Sequence, residues 1–335
     1  MCRSSSARSR SSSGATGPPR TAVRVALTGG GGFIGSHVLA RMVGAGMDVT
    51  LLGPETGHCR YAASLVASGQ VRHLRCDSTF RDADRLRDAL GPVDAVVLLG
   101  YVMPGASGAA RLAEEIELNV VPLSRLLRAL DGCSHFVFAS TLEVYDGGEV
   151  DGDEPGPVTA FGFAKLTAER MLRVFAPAST ATILRYASVY GPYEPERRAI
   201  PRLIRDALAG TPLLLDSDGS EERDYLHVCD AAAATIAAVD RKADGAYDIG
   251  TGMATRTLDL ARTIGELAGA KARPVSRAPV EGESRPPRLV AATRRAQEEL
   301  GFAARRHLVD GLKEEIGWIR SQPAPKVGVA LAATA

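Results

Sequence analysis

Short apolar runs punctuate the first part of the chain: VRVAL, DVTLL, VRHLR, DAVVLL, HFVFAS and TILRY. Each is followed by a longer stretch in which apolar residues recur at helical spacing. Strand then helix in series predicts an α/β fold with a parallel, doubly wound sheet, because parallel neighbours need a crossover long enough to hold a helix. Such a sheet binds its ligands at the carboxyl ends of its strands, so chemistry is expected just after each run. Beyond Tyr190 the texture changes. GPYEPERR is a polar, proline-broken loop, and the helical patterns IPRLIRDALAG, DLARTIGELAG and AQEELG mix with short strands. The pattern divides the chain into a sheet domain over residues 21–187 and a smaller C-terminal lobe over 188–320, flanked by tails at 1–20 and 321–335.

Composition narrows the field. Hydrophobic residues make up 45% of the 335, and 40 basic against 39 acidic side chains leave a net charge of +1. No general attraction to nucleic acid or an anionic membrane is encoded. No apolar run approaches the ~18 residues of a membrane-spanning helix. Five cysteines stand without a C-x-x-C pair, which suits small buried thiols in a reducing, cytoplasmic setting and disfavours a disulfide framework or a metal site. The first twenty residues hold four arginines, no acid and many serines. They are expected to be a disordered tail; they lack the apolar segment of a secretory signal and the amphipathic stripe of a transit peptide.

The strongest chemical signal is VRVALTGGGGFIGSHVLARMV, which sets Gly29, Gly32 and Gly35 between a strand and a helix. Glycine permits the tight turn and lets backbone amides, those of Phe33 and Ile34 among them, approach a pyrophosphate on the positive helix terminus. The G-x-x-G-x-x-G spacing after Thr28 resembles the extended short-chain dehydrogenase/reductase family, which implies a dinucleotide-binding Rossmann domain over 21–187. By the same resemblance Asp77, just after the third strand, accepts a hydrogen bond from adenine; a helix N-cap is the alternative. An acid that would bind both ribose hydroxyls is missing where the second strand ends: Gly53 stands there, with Glu55 two residues on. NAD is favoured because no arginine closely follows Gly53, but NADP stays open, since Arg60 could meet a 2′-phosphate.

A second constellation, FASTLEVYD followed by FGFAK, resembles the same family's S-[ST]-x-x-V-Y-G and Y-x-x-x-K patterns. The resemblance implies that Thr141 holds the substrate oxygen and that Lys165 binds the nicotinamide ribose and depresses the pKa of a proton-carrying tyrosine. That tyrosine is Phe161 here. Positioned acid–base catalysis contributes ~10² to 10⁴ in rate, so ordinary alcohol–ketone chemistry is crippled unless another group substitutes. Tyr101 and Tyr186 lie in segments that could face the nicotinamide, although core packing is the commoner use of such residues. Glu143 resembles the glutamate base of sugar-nucleotide dehydratases, but Leu142 replaces their proton donor. A glutamate alone still suits proton abstraction beside a ketone, as in epimerisation; a solvent-facing loop residue is the alternative.

In the lobe, LRYASVYGP, IPRLIRDALAGTPLLL, DGSEERDYLHVCD, AYDIGTG and ESRPPRLVAATRRAQEELGF are similar, in order, to segments of nucleotide-sugar epimerases and dehydratases. The likeness covers roughly Val23 to Arg320. It implies that Ser188 replaces a sugar-contacting asparagine, that Arg223 and Arg285 grip the substrate diphosphate, and that Leu213 to Leu215 run along the nucleoside base. The expected protein is an NAD-dependent nucleotide-sugar epimerase working through a transient keto intermediate, as a homodimer without a metal. Two alternatives stand beside it: an NADPH-dependent 4-ketoreductase or dehydratase-like enzyme of deoxysugar assembly, and a catalytically impaired sugar-nucleotide binder or engineered inactive variant with Phe161 in place of tyrosine.

Overall fold

The computed structural model describes residues 22–54, 60–130, 132–146, 154–271, 273–276 and 287–322. Both expected tails therefore fall almost entirely outside it. The six predicted runs form β1 (Arg24–Thr28), β2 (Asp48–Gly53), β3 (Arg72–Arg75), β4 (Ala95–Leu98), β5 (His135–Thr141) and β6 (Thr180–Tyr186). The lobe contributes β7 (Ser188–Tyr190), β8 (Leu213–Leu215), β9 (Glu222–Arg223) and β10 (Tyr225–His227), and the chain then returns with β11 (Gly245–Ile249). A seven-stranded parallel sheet results, in the order β11-β6-β5-β4-β1-β2-β3. The order reverses between β1 and β4, which opens a crevice at their carboxyl ends.

The helices are α1 (Phe33–Gly44), α2 (Arg60–Ala67), α3 (Ala83–Leu90), α4 (Gly108–Glu115), α5 (Val121–Ala129), α6 (Ala160–Phe175), α7 (Ala199–Ala209), α8 (Val228–Arg241), α9 (Thr257–Ala268) and α10 (Leu308–Ser321). Alternation along β1 sorts them between two faces. Val25 and Leu27 pack with Val38, Leu39 and Met42 of α1 and with Ala231 and Ala234 of α8. Ala26 faces the other way, toward Leu86 of α3, Leu126 of α5 and Leu172 of α6. This is the period-two rule of a strand buried on both sides. AQEEL, expected as an α-helix, is a π-helical turn at Ala296–Leu300.

The lobe has its own core of Ile200, Leu203, Ile204, Leu260, Ile264, Leu312 and Ile316, from α7, α9 and α10. Three further strands, β12 (Thr255–Arg256), β13 (Pro274–Ser276) and β14 (Arg288–Leu289), pair with β9 and β8 as small sheets. Residues 228–249 leave the lobe: α8 packs on α1, and β11 closes the main sheet beside β6.

Asp224, fully buried between β9 and β10, ties lobe to sheet. Its carboxylate accepts the Thr251 hydroxyl at 2.6 Å, the N–H groups of Thr251 and Gly252 at 2.9 Å, and that of Ala291 at 3.3 Å. Gly250 must lack a side chain, because a Cβ there would fall on this carboxylate. Removing the carboxylate strands buried donors that cost ~1 to 3 kcal/mol each. Asp224→Ala is therefore expected to lower stability by about 3 kcal/mol or more. Urea unfolding checks this, and an unchanged midpoint would refute the role.

Candidate active site

The glycine turn lies in the crevice. Thr28 accepts the Gly100 N–H on its hydroxyl at 3.1 Å, which draws the ends of β1 and β4 together. Gly29 has φ +71°, and a Cβ on it would stand 2.7 Å from the backbone of Leu99 and Gly100. Gly35 lets α1 rest on the turn, since its Cβ would overlap the Gly29 carbonyl oxygen. Gly32 differs. Its Cβ would meet only that oxygen, at 3.3 Å, so the missing side chain leaves a concavity over the start of α1. The helix has no side-chain cap and no acid in its first turn, so the first-turn amides, including those of Phe33 and Ile34, suit an anion. The cradle fits a dinucleotide pyrophosphate.

Asp77 does not cap a helix. The N-cap of α3 is Asp82, and Asp77 accepts the N–H of Thr79 at 2.7 Å and the Thr79 hydroxyl, a local turn beyond β3 that holds its pKa below the usual range. It remains exposed at the sheet edge. Gly53 ends β2 with φ +154° and no carboxylate, and its carbonyl takes the Cys76 N–H. Glu55 lies outside the described residues.

Beside the crevice, β5 ends at Thr141, whose hydroxyl accepts the Glu143 N–H at 3.2 Å and caps the 3₁₀ turn Leu142–Val144. Glu143 is half-buried and is not a loop residue turned to solvent: its carboxylate accepts the hydroxyl of Thr159, the N-cap of α6, at 3.0 Å. Gly162 lets the first turn of α6 lie on this loop, because a Cβ there would strike the Glu143 carbonyl. Phe161 and Lys165 therefore project from the first turns of α6, with Lys165 reaching the last residues of β5. Lys165 Nζ donates to the Ala139 carbonyl at 2.8 Å and lies 5.8 Å from the Phe161 ring centre, 5.0 Å from that of Phe138 and 5.4 Å from that of Tyr101. Burial pushes its pKa down to about 8, against the opposing pull of Glu115 and Glu169.

Tyr186 is not at the site, since its hydroxyl pairs with Thr235 in the core at 2.7 Å. Tyr101 is. Its ring meets Phe161 edge-on at 5.2 Å, and its hydroxyl donates to buried Glu115 at 2.8 Å.

In the lobe, a cavity of about 240 Å³ is lined by Ser188, Arg198, Arg202, Leu215, Arg223 and Tyr225. Arg223 stands half-buried on β9, donating to the Glu222 carbonyl. Arg285 lies outside the described residues. Arg198 and Arg202 add cationic groups that sequence reasoning passed over, although their four-residue spacing around the start of α7 puts them on one face. Arg198 pairs with buried Glu194 at 2.9 Å and Arg202 with Asp216 at 2.7 Å.

The parallel sheet, its strand-order reversal and the glycine turn define a Rossmann-like α/β protein. The chain belongs to the NAD dependent epimerase/dehydratase family, whose pattern matches residues 25–250. It is 31% identical over 331 residues to a UDP-glucose 4-epimerase of Azospirillum brasilense, covering 89% of this chain and 92% of that one. Similarity of 29% over 317 residues, with 89% and 98% coverage, relates it to a UDP-N-acetyl-alpha-D-glucosaminuronate decarboxylase of Bacillus cytotoxicus. Among solved structures, a tyrosine-to-phenylalanine mutant of the UDP-glucuronic acid 4-epimerase of Bacillus cereus, in complex with UDP-4-deoxy-4-fluoro-glucuronic acid and NAD, superposes with a TM-score of 0.79. It shares 26% identity, with 89% of this chain and 99% of that one covered.

Gly32→Val is expected to fold and yet to abolish dinucleotide binding, because its side chain would stand in the cradle while its Cβ meets only the Gly29 carbonyl oxygen. Calorimetry checks this. Undiminished binding of both NAD and NADP by a folded variant would remove the cradle as the pyrophosphate site.

Proposed function

We propose that the protein is an NAD-dependent nucleotide-sugar epimerase that oxidises a ring hydroxyl to a transient ketone and reduces it again. The observation that carries this reading is the placement of Thr141 and Lys165 at the carboxyl edge of the sheet, with only β4 between β5 and the glycine turn after β1. Bound NAD supplies a reversible hydride acceptor, so it is not consumed. Gly29, Gly32 and Gly35, with the amides of Phe33 and Ile34, hold its pyrophosphate; Asp77 meets the adenine. Lys165 donates to the nicotinamide ribose, and its charge favours negative charge developing on a nearby oxygen. Thr141 holds the sugar oxygen. Glu143, already oriented by Thr159, is placed to take a proton beside the ketone. Ser188 meets the sugar, and Arg223 with Arg285 holds the diphosphate.

One observation favours a second reading. β2 ends on Gly53 without an acid, and an enzyme that spends NADPH as a 4-ketoreductase needs none there. Tightly retained NAD in the purified protein favours the epimerase; stoichiometric oxidation of NADPH by a keto-sugar nucleotide would favour the reductase.

A homodimer and a cytoplasmic setting complete the proposal. Cys76, Cys133 and Cys229 are unpaired thiols, as in a reducing compartment. Among the described residues no helix is long and apolar enough to cross a membrane. Leu112 of α4 and Phe163 and Val174 of α6 are exposed apolar residues on helices that pack together, a surface suited to a second copy. Phe163→Arg should shift the protein to a monomer in analytical ultracentrifugation; a monomeric parent would refute the dimer.

Arg223→Ala should weaken sugar-nucleotide binding roughly tenfold to a hundredfold, since charge-assisted bonds are worth ~1.5 to 3 kcal/mol each. NAD affinity should hold. Separate titrations with NAD and with UDP-, dTDP- and GDP-sugars check this, and loss of NAD affinity alone would overturn the assigned substrate class.

A further inference from the structure

A site that lacks its tyrosine at 161 needs another way to move the substrate proton. Around this edge of the sheet Tyr145 is tied to Asp248 and Arg185, Tyr186 to Thr235, and Tyr190 to the Leu308 carbonyl. Tyr101 is placed differently. Its ring stands edge-on to Phe161 at 5.2 Å, the Lys165 ammonium lies 5.4 Å from its centre, and its hydroxyl faces Glu115 at 2.8 Å.

We propose that Tyr101 is the catalytic proton carrier of this site and that Glu115, behind it, is the base on which the proton comes to rest. The inference rests on the epimerase reading and deepens it. In the oxidising half-reaction the sugar O–H and C–H bonds break and a C=O bond forms. The O–H proton passes to the Tyr101 oxygen while the phenol's own proton passes to the Glu115 carboxylate. The C–H hydrogen leaves with its electron pair as hydride, the acceptor being a nicotinamide dinucleotide. Glu115 gains one proton in net, and the reducing half-reaction returns it.

The surroundings are built for this transfer. Glu115 is fully buried at the end of α4. It is faced by Asn119 Nδ2 at 3.1 Å and by Arg111 at 3.6 Å, and its charge is felt by Lys165. Asn119 also clamps the residue after Tyr101, accepting the Val102 N–H at 2.8 Å and donating to its carbonyl at 3.0 Å. The neighbouring Glu114 carboxylate accepts the N–H groups of Gly105 and Ala106, so the connection from β4 to α4 is pinned along its length. Burial and the Glu115 charge hold the Tyr101 phenol protonated at any ordinary pH. The phenol is thus a conduit with the basic group behind it, unlike a stored tyrosinate.

The test compares the parent with Tyr101→Phe, Glu115→Gln and Tyr101→Phe combined with Phe161→Tyr. Single-turnover hydride transfer from UDP-sugars is followed by nicotinamide absorbance, and ligand affinities by calorimetry. Each single variant should transfer hydride ~100-fold or more slowly with affinities unchanged, and tyrosine at 161 should recover much of the loss in the double variant. In the ligand-free protein, ultraviolet titration should show one tyrosine ionising at lower pH in Glu115→Gln, a change absent once Tyr101 is also phenylalanine. A Tyr101→Phe variant that matches the parent overturns the relay and leaves the epimerase standing. A parent that binds both ligands and transfers no hydride overturns both.

Discussion

The buried pair of Arg185 and Glu169 is the joint on which the site depends. Arg185, on β6, donates through Nη2 and Nε to the Glu169 carboxylate of α6, at 2.7 and 3.1 Å. Glu169 also accepts the hydroxyl of Ser140, the residue before Thr141, and Arg185 reaches the Tyr145 phenol at 2.7 Å. Tyr145 in turn donates to Asp248 of β11. One network thus couples β5, β6, β11 and α6, and so fixes Thr141 relative to Lys165. A buried ion pair adds little net stability, because desolvation consumes most of the Coulomb gain. What it contributes here is geometry: any shift of α6 along the sheet would leave a buried charge without its partner.

Asp224 does at the lobe what Glu169 does at the sheet. Both are buried carboxylates that accept several donors from segments distant in sequence, and both follow a functional group, Asp224 directly after Arg223 and Glu169 one helical turn after Lys165. The lobe cavity and the carboxyl edge of the sheet are each braced by one buried acid. Burial pushes the pKa of Asp248 up to about 6, against the opposing pull of Arg185 and the Tyr145 hydrogen bond.

The sheet was legible because its pattern is local. Alternating strand-sized runs and helical stretches predict the six strands, and a glycine turn between a strand and a helix has a single well-understood use. The seventh strand escaped notice because GAYDI follows the whole excursion through the lobe, so only tertiary pairing with β6 places it in the main sheet. Thr141, Glu143 and Lys165 could be read from motif spacing, and the structure brings them together around the first turns of α6. The partners that matter most could not. Glu115 reads as one acid among several in a polar helix until packing buries it completely under Tyr101. Arg198 and Arg202 sit in an arginine-rich stretch where sequence does not distinguish a cavity wall from a solvated face. The N-cap alternative for Asp77 failed for a related reason: four residues, Ser78 to Arg81, separate it from Asp82, and turn and cap chemistry use the same side chain.

Lys165 shows how stability is set against function at this edge. An ammonium whose pKa falls from 10.5 to about 8 is held at a cost on the order of 3 kcal/mol while it stays charged at neutral pH. Glu115 and Glu169 offset part of that cost, and neither touches the ammonium directly. The described residues give Nζ only one hydrogen-bond acceptor, the Ala139 carbonyl, whereas an ammonium carries three donors. The two donors left over can take acceptors that a bound ligand brings. A bound ligand that supplies those acceptors recovers part of the desolvation cost. A ligand that completed the set would turn that cost into affinity, whereas Arg185 and Asp224 find their partners within the fold.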